Sequence, residues 1–352
     1  MSPTRLTQVP ALDGVRGLAL AAVMVHHVTV RSDHPPIRGA WLSVDLFFAL
    51  SGFLITLSVI EHPNVGEFFR RRFWRLAPAM AVFLAIYVAW SLSASDAHQR
   101  MRWALAAATQ WANIQGAIGP PFSPHIGHLW SLSAEVQFYV VWGLVLSWLV
   151  RGRVAPRTIV SILSVLFVVS WIERVVLWER GTPWNRLYLG PDTHGASLLV
   201  GCIVGLAFAS GWLPPLRRAL TVATVPSVAF FAWGIVELSF LDGRVYLWGL
   251  TAVAVASGVI VASAAMGGGG VLKPLLELRP LRFLGRISYS VYLWHLPIIA
   301  EVARRRAHGD IGGIALIALP LSLVVGWVSY VAIERPLLSS AGRARLRARL
   351  GT

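Results

Sequence analysis

The sequence predicts an all-α membrane protein, a polytopic bundle of about ten transmembrane helices with both termini in the cytoplasm. Three observations predict it. The 352 residues are 56% apolar and only 13% charged, whereas a soluble chain carries about 25% charged residues. The mean hydropathy is +0.64, too high for a water-facing surface of ordinary size. The cations, finally, flank apolar runs instead of forming a basic domain. An all-soluble enzyme is excluded, and the net charge of +15 reads as positive loops held inside and not as a nucleic-acid surface.

The elements follow in chain order. Apolar runs place spans at Gly14–Val30, Trp41–Ile60, Ala77–Ala94, Leu129–Val150 and Thr158–Trp178. Five more lie at Ala196–Trp212, Ala219–Phe240, Tyr246–Met266, Phe283–Val302 and Ile311–Ile333. The first is a retained helix and not a cleaved signal, because Asp13 and Arg16 precede its apolar run and no small-residue cleavage site follows. An additional half-buried segment is expected around Trp103–Ile118, after which Gly119, Pro120, Pro121 and Pro124 impose a non-helical approach to the fourth span. Gly267–Gly270 reads as a flexible loop. Residues 1–340 are expected to form one transmembrane domain and 341–352 a basic cytoplasmic tail.

Orientation comes from the cations. With the N-terminus inside, 19 of the 31 Lys and Arg fall on the cytoplasmic side, counting Arg286 at the inner end of the ninth span, and ten outside, while Arg16 and Arg174 lie deeper within spans. Arg304, Arg305 and Arg306 run against this bias, and snorkelling at the outer end of the ninth helix would accommodate them. Cys202 is the single cysteine, so no intrachain disulfide is possible.

Ionisable groups at bilayer depth are costly and usually face a cavity or a partner. Arg16 and His27 are eleven residues apart, about 20° from three full turns, so they share one face with a rise of roughly 16 Å. Each read alone is equally an interface residue. Asp45 in the second span needs a cation or donors, and His27 on the adjacent helix is a candidate; a structural polar contact is the alternative. Arg72 and Arg75 share a face at i,i+3 and suit a phosphate-bearing ligand by bidentate donation, although a cluster of this kind also serves as a topology signal. His128, Ser131 and Glu135 fall on one stripe at the fourth span's entrance, with Trp130 and Gln137 nearby. No metal-ligand triplet, phosphate-cradling loop or nucleophile elbow is present.

These segments, in this order, resemble the acyltransferase-3 family of integral membrane O-acyltransferases. The resemblance covers nearly the whole chain. It rests on Leu12-Asp13-Gly14-Val15-Arg16-Gly17 through His27, the Asp45 block to Thr56, Arg72–Pro78, His128–Tyr139, Phe283–His295 and Glu334-Arg335-Pro336. It implies transfer of an acyl group, acetyl in the first instance, from cytoplasmic acyl-CoA to a hydroxyl of a carbohydrate acceptor. That acceptor would be a surface polysaccharide, glycolipid, peptidoglycan or glycosylated metabolite. By position, Arg16 and His27 match the family's Arg/His motif, and Arg72 and Arg75 its donor-binding pair. The resemblance implies His27 as the catalytic residue; read as the general base, it is expected to work with Arg16, Asp45 and Glu135 in the catalytic set, Asp45 fixing its tautomer, and with His128, Ser131 and Trp130 toward substrate. An acyl-histidine intermediate at His27 is the variant mechanism.

The family's second glutamate is Val136 here, and His194 and Ala196 stand where Arg and Asp are usual; these departures bear on the acceptor. The chain resembles the stand-alone subclass without an esterase-like C-terminal domain, in a bacterial plasma membrane, with no metal and no nucleic acid. A transporter of glycans, lipids or acyl compounds, with the same charges lining its path, is the rival reading.

Overall fold

A computed structural model describes residues 9–32, 35–61, 64–119, 123–267, 272–307 and 309–338. Arg5, Pro120, Pro121, most of the Gly267–Gly270 run and the 341–352 tail lie outside the described residues. No β-strand occurs among the described residues. The helices are α1 (Pro10–Thr29), α2 (Val44–Glu61), α3 (Val65–Ser91), α4 (Ala97–Ala108), α5 (Ala112–Ile118), α6 (Leu129–Arg151), α7 (Pro156–Glu179), α8 (Trp184–Leu189), α9 (Pro191–His194) and α10 (Ala196–Ala209). They continue as α11 (Arg217–Glu237), α12 (Leu250–Ala265), α13 (Lys273–Leu276), α14 (Arg279–Arg304), α15 (Ile311–Ser329) and α16 (Arg335–Leu338).

Each of the ten predicted spans falls on one of these helices. Among the described residues, eight helical segments are long and apolar enough to cross a membrane by length and composition. The other two predicted spans are α10, an apolar helix of 14 residues, and the 26-residue α14, whose arginines lower its hydropathy. A membrane supplies no water for stray backbone groups, so an all-helical answer is the one available to such a chain. The outward faces of α6 and α7 are apolar, with Val141, Trp148, Val165 and Ile172 exposed as lipid-facing side chains would be.

Between helices, association cannot draw on the hydrophobic effect against lipid, and close approach of small residues replaces it. Helices α1 and α14 show this most tightly. A methyl group added at Gly17 would stand 2.1 Å from the carbonyl oxygen of Leu281, and one at Gly285 would stand 1.8 Å from that of Asp13. At the α2–α10 crossing, Gly201 is equally closed by the Ala49 carbonyl, at 2.1 Å. Two pairs of helices are therefore locked backbone to backbone: α1 with α14, and α2 with α10.

The segment Trp103–Ile118 resolves into two helices. Gln110 takes a left-handed conformation (φ 61°) between α4 and α5, and Trp103 is buried while Ile118 is exposed. Helix α3 begins at Val65, twelve residues before the predicted span, capped by the Asn64 side chain accepting from the Glu67 amide at 3.1 Å. The arginines at positions 70 to 75 thus ride on the same continuous helix as the span. The three outlying cations have local partners: Arg304 and Arg305 pair with Glu301 at 2.8 and 2.7 Å, and Arg306 lies 3.6 Å from Asp310.

Candidate active site

Helices α2, α3, α6 and α14, with Arg16 of α1, enclose a narrow cavity of about 80 Å³. Arg16, Arg72 and Arg75 line it together with Ser51, Ser131, Glu135, Tyr139, Ser288, Tyr289 and Tyr292. Arg16 donates to Asp13 at 2.9 Å. Arg72 and Arg75 form no salt bridge among the described residues; the Arg72 guanidinium lies 4.9 Å from the centre of the Tyr139 ring, a cation–π contact. Glu135 accepts hydrogen bonds from Ser51 and Tyr139 and lines the cavity with the three arginines. The i,i+3 spacing of Arg72 and Arg75 therefore does what it predicts, presenting both guanidiniums to one space.

A second, wider cavity of about 360 Å³ opens around the C-terminal end of α1. His26, His27, His128, Trp130 and Tyr292 line it, and Trp41, Trp184, Tyr188 and Phe240 form an aromatic wall. The Trp41 and Phe240 rings stack with centroids 4.2 Å apart. His27 and His128 converge here on His295 of α14, each ring centroid 5.0 Å from that of His295. Nδ1 of His27 lies 3.0 Å from Nε2 of His295. Arg16 and His27 thus line two different cavities at opposite ends of one helix.

The two cavities meet at Val44 and Tyr292, which line both. The Tyr292 and Ser131 hydroxyls are 2.6 Å apart, and both reach the carbonyl oxygen of His128, at 3.0 and 3.2 Å. The predicted stripe is real. His128 lies at the imidazole end, Glu135 at the arginine end, and Ser131 on the partition between them. Gln137 does not join it; it exchanges amide hydrogen bonds with Asn113 at 3.0 and 2.9 Å, tying α5 to α6.

The expected pairing of Asp45 with His27 does not form. Asp45 is fully buried, accepts from Ser197 at 2.5 Å, and faces Nε2 of His194 at 3.3 Å. The reason is the α2–α10 lock, which turns the Asp45 face of α2 toward α9 and α10 and away from α1. His194 is therefore the histidine that meets Asp45. It stands behind Trp130, whose ring centroid is 5.7 Å away, so Trp130 separates the Asp45 cluster from the imidazole cavity. Arg174 is fully buried and donates to the carbonyls of Tyr246 and Thr193, at 3.0 and 2.7 Å, and to the Thr251 hydroxyl. It lines neither cavity. Arg174→Met should therefore lower the thermal unfolding midpoint in detergent, at a cost of about 3 kcal/mol from two stranded carbonyls and a hydroxyl.

Sequence reasoning missed the roles of His295, Tyr292, Tyr289 and Ser51. The signal was present in part: Tyr292 and His295 stand at i,i+3 in an apolar helix, which marks one polar face. Which neighbour that face meets is not encoded in the spacing.

A family model described as an acyltransferase domain matches residues 9–331. The chain is similar to the peptidoglycan O-acetyltransferase OatA of Listeria monocytogenes, with 29% identity over 316 residues, covering 83% of this chain and 49% of that protein. It is also similar to the O-acetyltransferase OatA of Staphylococcus aureus, with 30% identity over 364 residues, 95% of this chain and 58% of that protein. The chain thus spans about half the length of the curated relatives it matches. No solved structure matches it.

Proposed function

Since this chain belongs to the acyltransferase-3 family, we propose that it moves an acyl group, acetyl in the first instance, from cytoplasmic acyl-CoA to a hydroxyl of a carbohydrate acceptor. The observation that carries this reading is the pair of cavities on α1, one lined by arginines and one by imidazoles, meeting at Val44 and Tyr292. A phosphate-rich donor belongs with guanidiniums that lack carboxylate partners, and a hydroxyl acceptor belongs with a neutral imidazole. With the N-terminus inside, the arginine cavity faces the cytoplasm, where acyl-CoA is found.

Arg72 and Arg75 would hold donor phosphates, and Arg16 would lie nearer the thioester. The inner cavity has room for the acyl thioester end alone, so the nucleotide would rest on the arginine-bearing turns of α3. In the outer cavity the aromatic wall of Trp41, Trp130, Tyr188 and Phe240 suits the C–H faces of sugar rings. His27 would take the proton of the acceptor hydroxyl as its oxygen attacks the thioester carbonyl, forming the new C–O bond. The carbon–sulfur bond then breaks with its electron pair on sulfur, and the proton passes from His27 to the departing thiolate. Peptidoglycan, which the Listeria relative is named for acetylating, is the first acceptor to test.

The test is saturable binding of labelled acetyl-CoA to the purified full chain. Each charge-assisted contact is worth about 1.5–3 kcal/mol, so the Arg72→Ala/Arg75→Ala double variant should raise Kd about 100-fold or more. His27→Ala should leave Kd unchanged. Absence of binding by the wild type, for acetyl-CoA and longer acyl-CoA alike, would overturn the acyltransferase reading in favour of a transporter.

A further inference from the structure

We propose that His295 is the positioning residue for His27, fixing its tautomer so that Nε2 carries the free lone pair. The catalytic consequence rests on His27 being the base, as proposed above; the tautomer itself does not.

The argument is a count of protons along one chain of contacts. Nδ1 of His295 lies 2.7 Å from the carbonyl oxygen of Tyr292, one turn back on α14. A carbonyl can only accept, so this nitrogen carries a proton. In a neutral imidazole the other nitrogen, Nε2, is then a bare acceptor. Nε2 of His295 faces Nδ1 of His27 at 3.0 Å, so Nδ1 of His27 is the donor. The remaining nitrogen of His27, Nε2, is left unprotonated, on a ring that lines the outer cavity.

The other arrangements are worse. Were Nε2 of His295 the donor, its Nδ1 would set a lone pair against a carbonyl oxygen at 2.7 Å. Were His295 doubly protonated, it would be a buried cation, and no acidic side chain lines this cavity among the described residues. The titratable and charged groups facing the pair are His26 and Arg31 from the α1 end, His128 from α6 and Tyr292 from α14. None of them supplies an anion at neutral pH.

The arrangement does with a histidine and a backbone carbonyl what a carboxylate does in a Ser-His-Asp triad, without adding negative charge. The residue whose carbonyl anchors the chain, Tyr292, also forms the partition between the two cavities. The backbone of α14 therefore ties the orientation of the base to the place where donor and acceptor would meet.

The experiment reads the tautomer directly, by nitrogen-15 NMR of histidine-labelled full-length protein in lipid, with His27→Ala assigning the signals. At a pH where both rings are neutral, His27 should show a protonated Nδ1 and a bare Nε2, and His295→Leu should abolish that preference. A protonated Nε2 on wild-type His27, or no change in His295→Leu, would overturn the proposal. Transfer from acetyl-CoA to peptidoglycan strands gives a second reading. His295→Leu should lower kcat about 10²–10⁴-fold with KM for acetyl-CoA unchanged. His295→Gln, whose amide oxygen can accept from Nδ1–H, should recover to within about tenfold of wild type. Equal loss in both variants would mark His295 as merely structural and overturn the proposal. Full transfer by His27→Ala would instead sink the assignment of the base and leave the tautomer result standing.

Discussion

His27→Ala is expected to abolish acyl transfer while the protein still folds and still binds acetyl-CoA with wild-type affinity. A positioned general base contributes about 10²–10⁴-fold to a proton-transfer step, so kcat should fall by that factor or to the uncatalysed background. Affinity should hold because His27 lines the outer cavity, apart from Arg16, Arg72 and Arg75 of the inner one, and no donor-phosphate contact is asked of it. Stability should hold because the lost contact is one hydrogen bond to His295 at 3.0 Å, worth about 1 kcal/mol net. In the wild type, kcat/KM should fall at acid pH once the His27 ring is protonated, since only the neutral ring can accept the proton. A variant with lost binding and lost transfer together would show that the two cavities are not chemically separate.

The second large effect concerns a residue that touches no substrate. Gly285→Ala should unseat α14 from α1 and remove both stability and transfer. The added methyl would lie 1.8 Å from the Asp13 carbonyl oxygen and 2.6 Å from its carbon. Backbone atoms of a packed helix cannot swing aside as a flexible side chain does, so the helices must separate. Overpacking of this kind costs about 1–3 kcal/mol and occasionally more. Separation acts directly on the site, because α1 carries His27 and α14 carries His295. The expected result is a lower thermal midpoint together with loss of kcat. Gly312→Ala is the control: nothing stands within 4 Å of its added methyl, and alanine is the better helix former. An unchanged midpoint in Gly285→Ala would show that the α1–α14 contact is looser than the backbone distances imply.

Much of the architecture is legible in the sequence because a membrane leaves a chain few choices. Runs of about 20 apolar residues must become helices, and all ten predicted spans fall on helices. The refinements are local. Helix α3 begins early because Asn64 caps it, and the Trp103–Ile118 segment divides where Gln110 turns left-handed. The site was half legible. Helical periodicity correctly put Arg72 beside Arg75 and set His128, Ser131 and Glu135 on one stripe, since residues three, four or seven apart share a face whatever the surroundings.

Asp45 marks the boundary of that reasoning. Periodicity says which face of its own helix a residue occupies, and it says nothing about which helix that face meets. His27 was the nearest plausible partner in sequence order, yet Asp45 meets His194 and Ser197, about 150 positions away. The partner of His27 is His295, 268 positions along the chain. The sequence by itself determined the helices, the shared faces and the chemistry available to them, because these depend on composition and on the pitch of one helix. Tertiary structure alone decided which face opposes which, through backbone contacts at glycines such as Gly17, Gly201 and Gly285, where one methyl group would reset the crossing.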